Sequence, residues 1–297
     1  MNLHSLNEYE HGVIKQFTPP ACYELAGQRF ELAMDDGYDF VLNIISGDKL
    51  EWSFAGEAPA TADYMCRKAD DTTYLLSYEL TGAKPRVNHT FVLDKENMLV
   101  TRLLSKIGTN PKFPYLMKTD FEFGAIRTAD KAVTLYPRHG FTSDMLGNVV
   151  TWRYGLDILA THVYYSTDFY RVTYPLSPDF TEEGVRGKHS FDAIVNSLPS
   201  TDEPAQYIKI KDGMYLFNIT EKNGEKLLGE AMGFRSNTMC FLQNYKRVYQ
   251  VGRSFGTSTT PAGDRETHIM FGAFGVVQRE LSDELRAMLT DKNPYLV

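Results

Sequence analysis

Cysteine is scarce in this chain. Cys22, Cys66 and Cys240 are odd in number and far apart, with none of the paired spacing of a disulfide framework or a zinc site, so they read as reduced thiols. Histidine is thin as well, at positions 4, 11, 89, 139, 162, 189 and 268, with no HxH or HExxH spacing. A metal would have to be gathered from separate strands, with His89, His139 or His162 and Glu79 or Glu122 as donors; no metal and no cofactor is expected. Positive charge is in deficit, with 31 Lys and Arg against 38 Asp and Glu, a net charge of −7, and the basic residues are scattered, which excludes a phosphate-backbone interface. Nucleic acid is therefore not an expected partner. No apolar run is long enough to cross a bilayer, and the opening MNLHSLNEYEHGVIKQF has neither a basic nor an apolar signal region, so the expectation is a cytoplasmic protein without a membrane partner. Helical periodicity is nearly missing, and so is any glycine-rich phosphate cradle.

Alternation of period two is abundant. Leu50, Trp52 and Phe54 alternate with Glu51 and Ser53; Tyr74, Leu76, Tyr78 and Leu80 with Leu75, Ser77 and Glu79; Val87, His89, Phe91 and Leu93 with Asn88, Thr90 and Val92. Turn sequences such as Asp35-Asp36-Gly37, Ser46-Gly47-Asp48 and Asp212-Gly213 separate these runs. About eight strands fit between Arg29 and Arg127, enough to close an up-and-down barrel and remove its edges. The pattern then recurs. DYMCRKADDTTYLLSYE ending at Glu79 resembles QYIKIKDGMYLFNITE ending at Glu221, which pairs Tyr64 with Tyr207, Tyr74 with Tyr215 and Glu79 with Glu221. DGYDFVLNI resembles YGLDILATHV, and FVLDKENMLVTRLLSKIG resembles FLQNYKRVYQVGRSFG. The fold class predicted is all-β: two tandem antiparallel barrels over residues 20–127 and 148–278, joined through 128–147. A helix capped by Ser282 follows within 279–297. Residues 177–190 and 198–204 read as loops of the second copy.

LAGQRFELAMDDG, ADYMCRKADDTTYLLSYE and HTFVLDKENMLVTRLLSKIG, followed by a second barrel-like half, resemble the MoaF family, labelled molybdenum cofactor biosynthesis protein F. The resemblance implies lipocalin-like (calycin) barrels and a link to bacterial monoamine utilisation. It brings no catalytic residues to carry over.

Chemistry must then be sought residue by residue. Gly252-Arg253-Ser254-Phe255-Gly256, followed by Asp264 and His268, has hydrolase spacing, but a nucleophile elbow turns from strand into helix, and TSTTPAG after it reads as a loop hostile to helix. Acid pairs such as Asp35-Asp36 read as solvated turns. Divergence between copies is more informative: His89 falls near Met239 and Arg102 near Gln250, while His162 has no histidine counterpart in the first copy. A small barrel either fills with side chains or encloses one small ligand. With 18 Tyr and 18 Phe, the binding reading is a cavity for a small hydrophobic or aromatic metabolite, one that could carry an amine. Its walls would be Trp52, Tyr64, Tyr78, Tyr207 and His162, with Glu79 facing an ammonium. The alternative is a cofactor-independent enzyme running lyase- or isomerase-type acid–base chemistry on a phenolic or carbonyl substrate, with Glu79, His89 and Arg102 as catalytic groups beside Tyr64. Whether the chain is an enzyme stays open at this point. Its partner is expected to be a small molecule, and a homo-oligomer is compatible with the composition.

Overall fold

Alternating strands with turn residues between them form hairpins, and hairpins in sequence close a meander. The structure, a computed structural model, describes residues 17–155, 158–176, 200–223, 234–260 and 263–280. The first half comprises β1 (Arg29–Met34), β2 (Asp39–Ile44), β3 (Lys49–Phe54), β4 (Ala60–Lys68), β5 (Thr73–Glu79), β6 (Arg86–Asp94), β7 (Leu99–Ile107) and β8 (Met117–Ile126), each antiparallel to the next, with β1 pairing β8 to close the barrel. The second half has a two-residue strand β9 (Gly140–Phe141), then β10 (Val149–Arg153), β11 (Leu159–Tyr164), β12 (Phe169–Leu176), β13 (Thr201–Lys211), β14 (Met214–Thr220), β15 (Phe234–Asn244), β16 (Tyr249–Thr260) and β17 (Gly263–Arg279). β10 pairs β17 and β12 pairs β13, so β10–β17 close a second barrel, with β9 added beside β13. The tandem lipocalin-like barrels are thus borne out. The helix expected at Ser282 and the loop expected at 177–190 lie outside the described residues.

Two expectations change. Thr201–Pro204, read as loop, begins β13 and pairs with β12. The stretch after Ser254 is not a loop: β16 runs on to Thr260, and Ser254 sits within the strand opposite Met239 and Ile269. Threonine- and serine-rich sequence is as compatible with a strand as with a loop.

The ladders also correct how the copies align. The β4–β5 ladder has Lys68 opposite Tyr74, and the β13–β14 ladder, past a bulge next to Lys211 and Met214 at the turn, has Lys209 opposite Tyr215, which matches the two tyrosines as expected. Counting from there, Tyr64 (opposite Tyr78) corresponds to Ala205 (opposite Ile219), Cys66 to Tyr207, and Glu79 to Thr220 rather than Glu221. The tyrosine pairing is off by two residues, which keeps a side chain on its own face and leaves the hydrophobic pattern unchanged, whereas the glutamate pairing is off by one, which puts the two carboxylates on opposite faces. The two tyrosines still do similar work: Tyr64 donates to the carbonyl of Ser46 at 2.9 Å and Tyr207 to that of Phe169 at 3.0 Å, each fastening the neighbouring hairpin.

Each barrel has its own core, and a third core lies between them. Leu75, Val92 and Leu103 point out of the first barrel and pack with Ile208, Leu216, Leu242, Val251 and Met270 of the second. Both faces of β5 are consequently buried. At one end of the first barrel, where the β2–β3, β4–β5 and β6–β7 turns gather, residues 17–27 form a strap. The Phe17 amide donates to Tyr154 of the second barrel, the Cys22 amide to the carbonyl of Cys66, and Leu25 is fully buried against the first core.

The shared core couples the stabilities of the barrels. Leu242→Ala, in the second barrel, should cost about 2–5 kcal/mol. In a Trp152→Phe background, where Trp52 is the remaining tryptophan, it should shift the urea midpoint reported by the first barrel. A Trp52 midpoint unmoved by Leu242→Ala would show that the barrels unfold independently.

Candidate functional site

Strand parity decides which side chains meet inside the first barrel. Tyr78 on β5, His89 and Phe91 on β6, Arg102 on β7, Trp52 on β3 and Phe40 on β2 all point inward, toward the end opposite the strap. Their rings form one stack: Tyr78 lies parallel to His89 at 5.0 Å, Trp52 is 5.5 Å from His89, and Phe40 is 5.7 Å from Trp52. The Arg102 guanidinium sits 5.0 Å from the Phe40 ring and 5.8 Å from Phe54. It also donates to Nδ1 of His89, from Nη2 at 3.2 Å, and pairs with Glu122 at 2.5 Å. Burial, reinforced by the neighbouring Arg102 charge, holds His89 well below the ordinary histidine value, so its ring is neutral and Nδ1 can accept. Burial pushes the Tyr78 phenol well above its ordinary value, with Arg102 opposing. The Tyr78 hydroxyl and the Trp52 indole N–H are buried and find no hydrogen-bond partner among the described residues.

Glu79 is elsewhere. It follows Tyr78 directly, so it faces out of the barrel, where Arg86 grips it through Nε at 2.7 Å and Nη2 at 2.9 Å. Arg86 in turn donates to the carbonyl of Gly256 and the hydroxyl of Thr257, across the seam. Tyr64 is inside the barrel but at the strap end, with its hydroxyl on Ser46 and its pKa pushed by burial to about 12. Of the expected set, then, Trp52, Tyr78, His89 and Arg102 share one site, while Glu79 and Tyr64 do not join it. Tyr207 and His162 belong to the second barrel. His162 lies among Tyr170, Phe217 and Phe241, with Nδ1 3.2 Å from the Tyr164 hydroxyl. Tyr207 stacks on Phe217.

Glu122 and Phe40 were missed as members of the first site. In DFEFG the pattern suggests phenylalanines inward and Glu122 outward. The structure reverses it because the outer face of β8 is also covered: Phe121 and Phe123 pack against Phe141 and the inter-barrel core. A charged residue between two phenylalanines on the last strand was the available signal, ambiguous until the outer face was known to be buried.

The registers of the β6–β7 and β15–β16 hairpins, Asp94 opposite Leu99 and Asn244 opposite Tyr249, make Arg102 the counterpart of Gly252 instead of Gln250, and His89 that of Met239 as expected. A Cβ at Gly252 would stand 2.7 Å from the Phe241 ring, so this ring packs directly against the position that carries Arg102 in the first barrel. The second interior carries a neutral chain instead: Tyr154, Gln250, Gln243 and Tyr164 are hydrogen-bonded in series. Among the described residues no group of three or more His, Cys, Asp or Glu is placed to hold a metal ion, and no helix is long and apolar enough to cross a membrane.

Fold and site define a double lipocalin-like barrel whose first interior holds a buried arginine–glutamate pair among aromatic rings. Residues 4–109, covering the strap and β1–β7, match the family model described as the MoaF N-terminal domain, so the resemblance read from the sequence holds for that part of the chain. A comparison with curated proteins finds no match.

Burial pushes both His162 and His268 down to about 3, with Arg253 and Arg86 adding to the effect at His268. In the unfolded chain these rings protonate near pH 6.5, so below that value the unfolded state binds more protons than the native one. Stability is fully present above about pH 6.5 and is lost as the pH falls toward 3. His162→Leu, taking the residue at the corresponding position, Leu42, should flatten the fall in Tm between these limits. An equally steep fall in that variant would show that His162 is protonated in the native state.

Proposed function

We propose that the first barrel binds a small flat aromatic molecule carrying a hydrogen-bond acceptor, such as a carbonyl, phenolate or carboxylate oxygen. The observation that carries this reading is the pair of buried donors without partners, the Tyr78 hydroxyl and the Trp52 indole N–H, in an aromatic stack beside Arg102. Buried donors are rarely left unsatisfied, because each costs about 1–3 kcal/mol. All three groups donate, so an acceptor on the ligand satisfies them together, and the rings supply the apolar contact. An ammonium fits less well: Glu79 is committed to Arg86 outside the barrel, and Glu122 is paired with Arg102. The acid–base enzyme reading loses Tyr64 and Glu79 from its set of four, which leaves binding as the better-supported function.

Trp52 supplies the test. Benzoate, 4-hydroxybenzaldehyde or phenol should change its fluorescence saturably in a Trp152→Phe background, and benzylamine should bind more weakly. Tyr78→Phe should weaken the preferred acceptor ligand about tenfold, the value of one hydrogen bond. No saturable change with any of the acceptors, or tightest binding of benzylamine, would sink the proposal.

A further inference from the structure

Cys22 and Cys66 are far apart in sequence, yet the strap brings them together. The Cys22 amide donates to the Cys66 carbonyl at 3.0 Å, and both side chains enter the same core cluster at the strap end of the first barrel. The two thiols are close enough to shift one another, Cys22 downward and Cys66 upward, while the Cys66 thiol lies 3.9 Å from the Arg67 carbonyl. Adjacent backbones and thiols directed into one cluster are what a disulfide needs before it can close without rebuilding the chain. We propose that Cys22 and Cys66 form an oxidation site, closed to a disulfide by hydrogen peroxide or another hydroperoxide, which fastens the N-terminal strap over the end of the first barrel.

The two sulfurs have different parts in the step. The neighbouring Cys66 thiol pushes the Cys22 thiol down to about 6, with a backbone bond at Glu24 assisting and burial opposing, so Cys22 is substantially thiolate at neutral pH. In return the Cys22 thiol, with burial, pushes Cys66 well up, so it keeps its proton. The Cys22 sulfur attacks one peroxide oxygen, the O–O bond breaks, hydroxide leaves, and Cys22 becomes a sulfenic acid. The Cys66 sulfur then attacks the Cys22 sulfur; the S–O bond breaks, water leaves with the Cys66 proton, and the S–S bond forms. Two electrons pass from the sulfurs to the peroxide. Cys22 is 7% exposed, at the edge of the core, whereas Cys240 lies fully buried in the seam, where burial raises its pKa. The pair should therefore react while Cys240 does not.

What the disulfide would hold is the strap, which reaches from Tyr154 of the second barrel to Leu25 under the first. Tying Cys22 to Cys66 constrains the unfolded chain across three strands and should raise Tm by about 5 °C. The test treats the folded full-length protein with a small excess of hydrogen peroxide, maps its peptides without reduction and records Tm before and after dithiothreitol. The expected result is one cross-linked peptide joining Cys22 to Cys66, unmodified Cys240 and a reversible rise in Tm. Cys66→Ala should leave a dimedone-reactive sulfenic acid at Cys22. Should that variant fail to fold, the wild-type peptide map decides alone. Unreacted thiols, sulfinic or sulfonic acid at Cys22 without the cross-link, or disulfides only between chains would each overturn the proposal.

Discussion

The structure depends on a sheet face that is buried twice. In an isolated barrel the inner face of each strand is dry and the outer face wet. Here β5, β6 and β7 are buried on both faces, because their outer side chains meet β13–β17 of the second barrel. The polar centre of that seam is Arg253. Completely buried, it donates to the hydroxyls of Thr90 and Ser105 in the first barrel and to the carbonyl of Thr238 in the second. A cation out of water is tolerable only if its donors are occupied, and the acceptors come from both barrels. His268 adds a second tie, its Nε2 meeting Ser77 at 2.9 Å and Asn88 at 3.1 Å. Neither barrel can satisfy these groups alone.

The seam also explains why the copies diverged in different directions. Arg253 corresponds to Leu103, one residue along from Arg102, and one residue in a strand is the difference between outside and inside. In the first copy the arginine points inward and meets His89 and Glu122; in the second it points outward and holds the barrels together. The inward position of the second copy is then glycine, with Phe241 packed against it, and its interior combines the chain of glutamines and tyrosines with the buried carboxylates of Glu203 and Glu221. The duplicated container thus turns one arginine into the interior of the first barrel and the other onto the wall that joins the two.

Both ends of the first barrel follow from the same geometry. At the strap end, Leu25 and the tyrosines that fasten the hairpins close the barrel with apolar and backbone contacts. At the far end, charged and aromatic groups crowd together, and Arg102 is kept in place by Glu122 and by the neutral ring of His89. Neutral histidine is what burial beside a guanidinium produces, and a protonated ring there would meet two like charges, Arg102 and Lys106.

By itself the sequence determined the architecture: period-two alternation, turn residues at short intervals and a repeated pattern were enough for two closed antiparallel barrels, and Trp52, Tyr78 and His89 lay on the alternating strands where they were expected. It could not determine the pairing of the copies, because a slip of two residues preserves the pattern, as Tyr64 and Tyr207 show. Nor could it say that Glu79 faces outward and Glu122 inward. Alternation tells a strand that it has two faces, but not which is the interior when both are dry. That choice was made by packing one barrel on the other, a contact between residues more than a hundred positions apart, and so only the tertiary structure decided which charges share a site and which hold the seam.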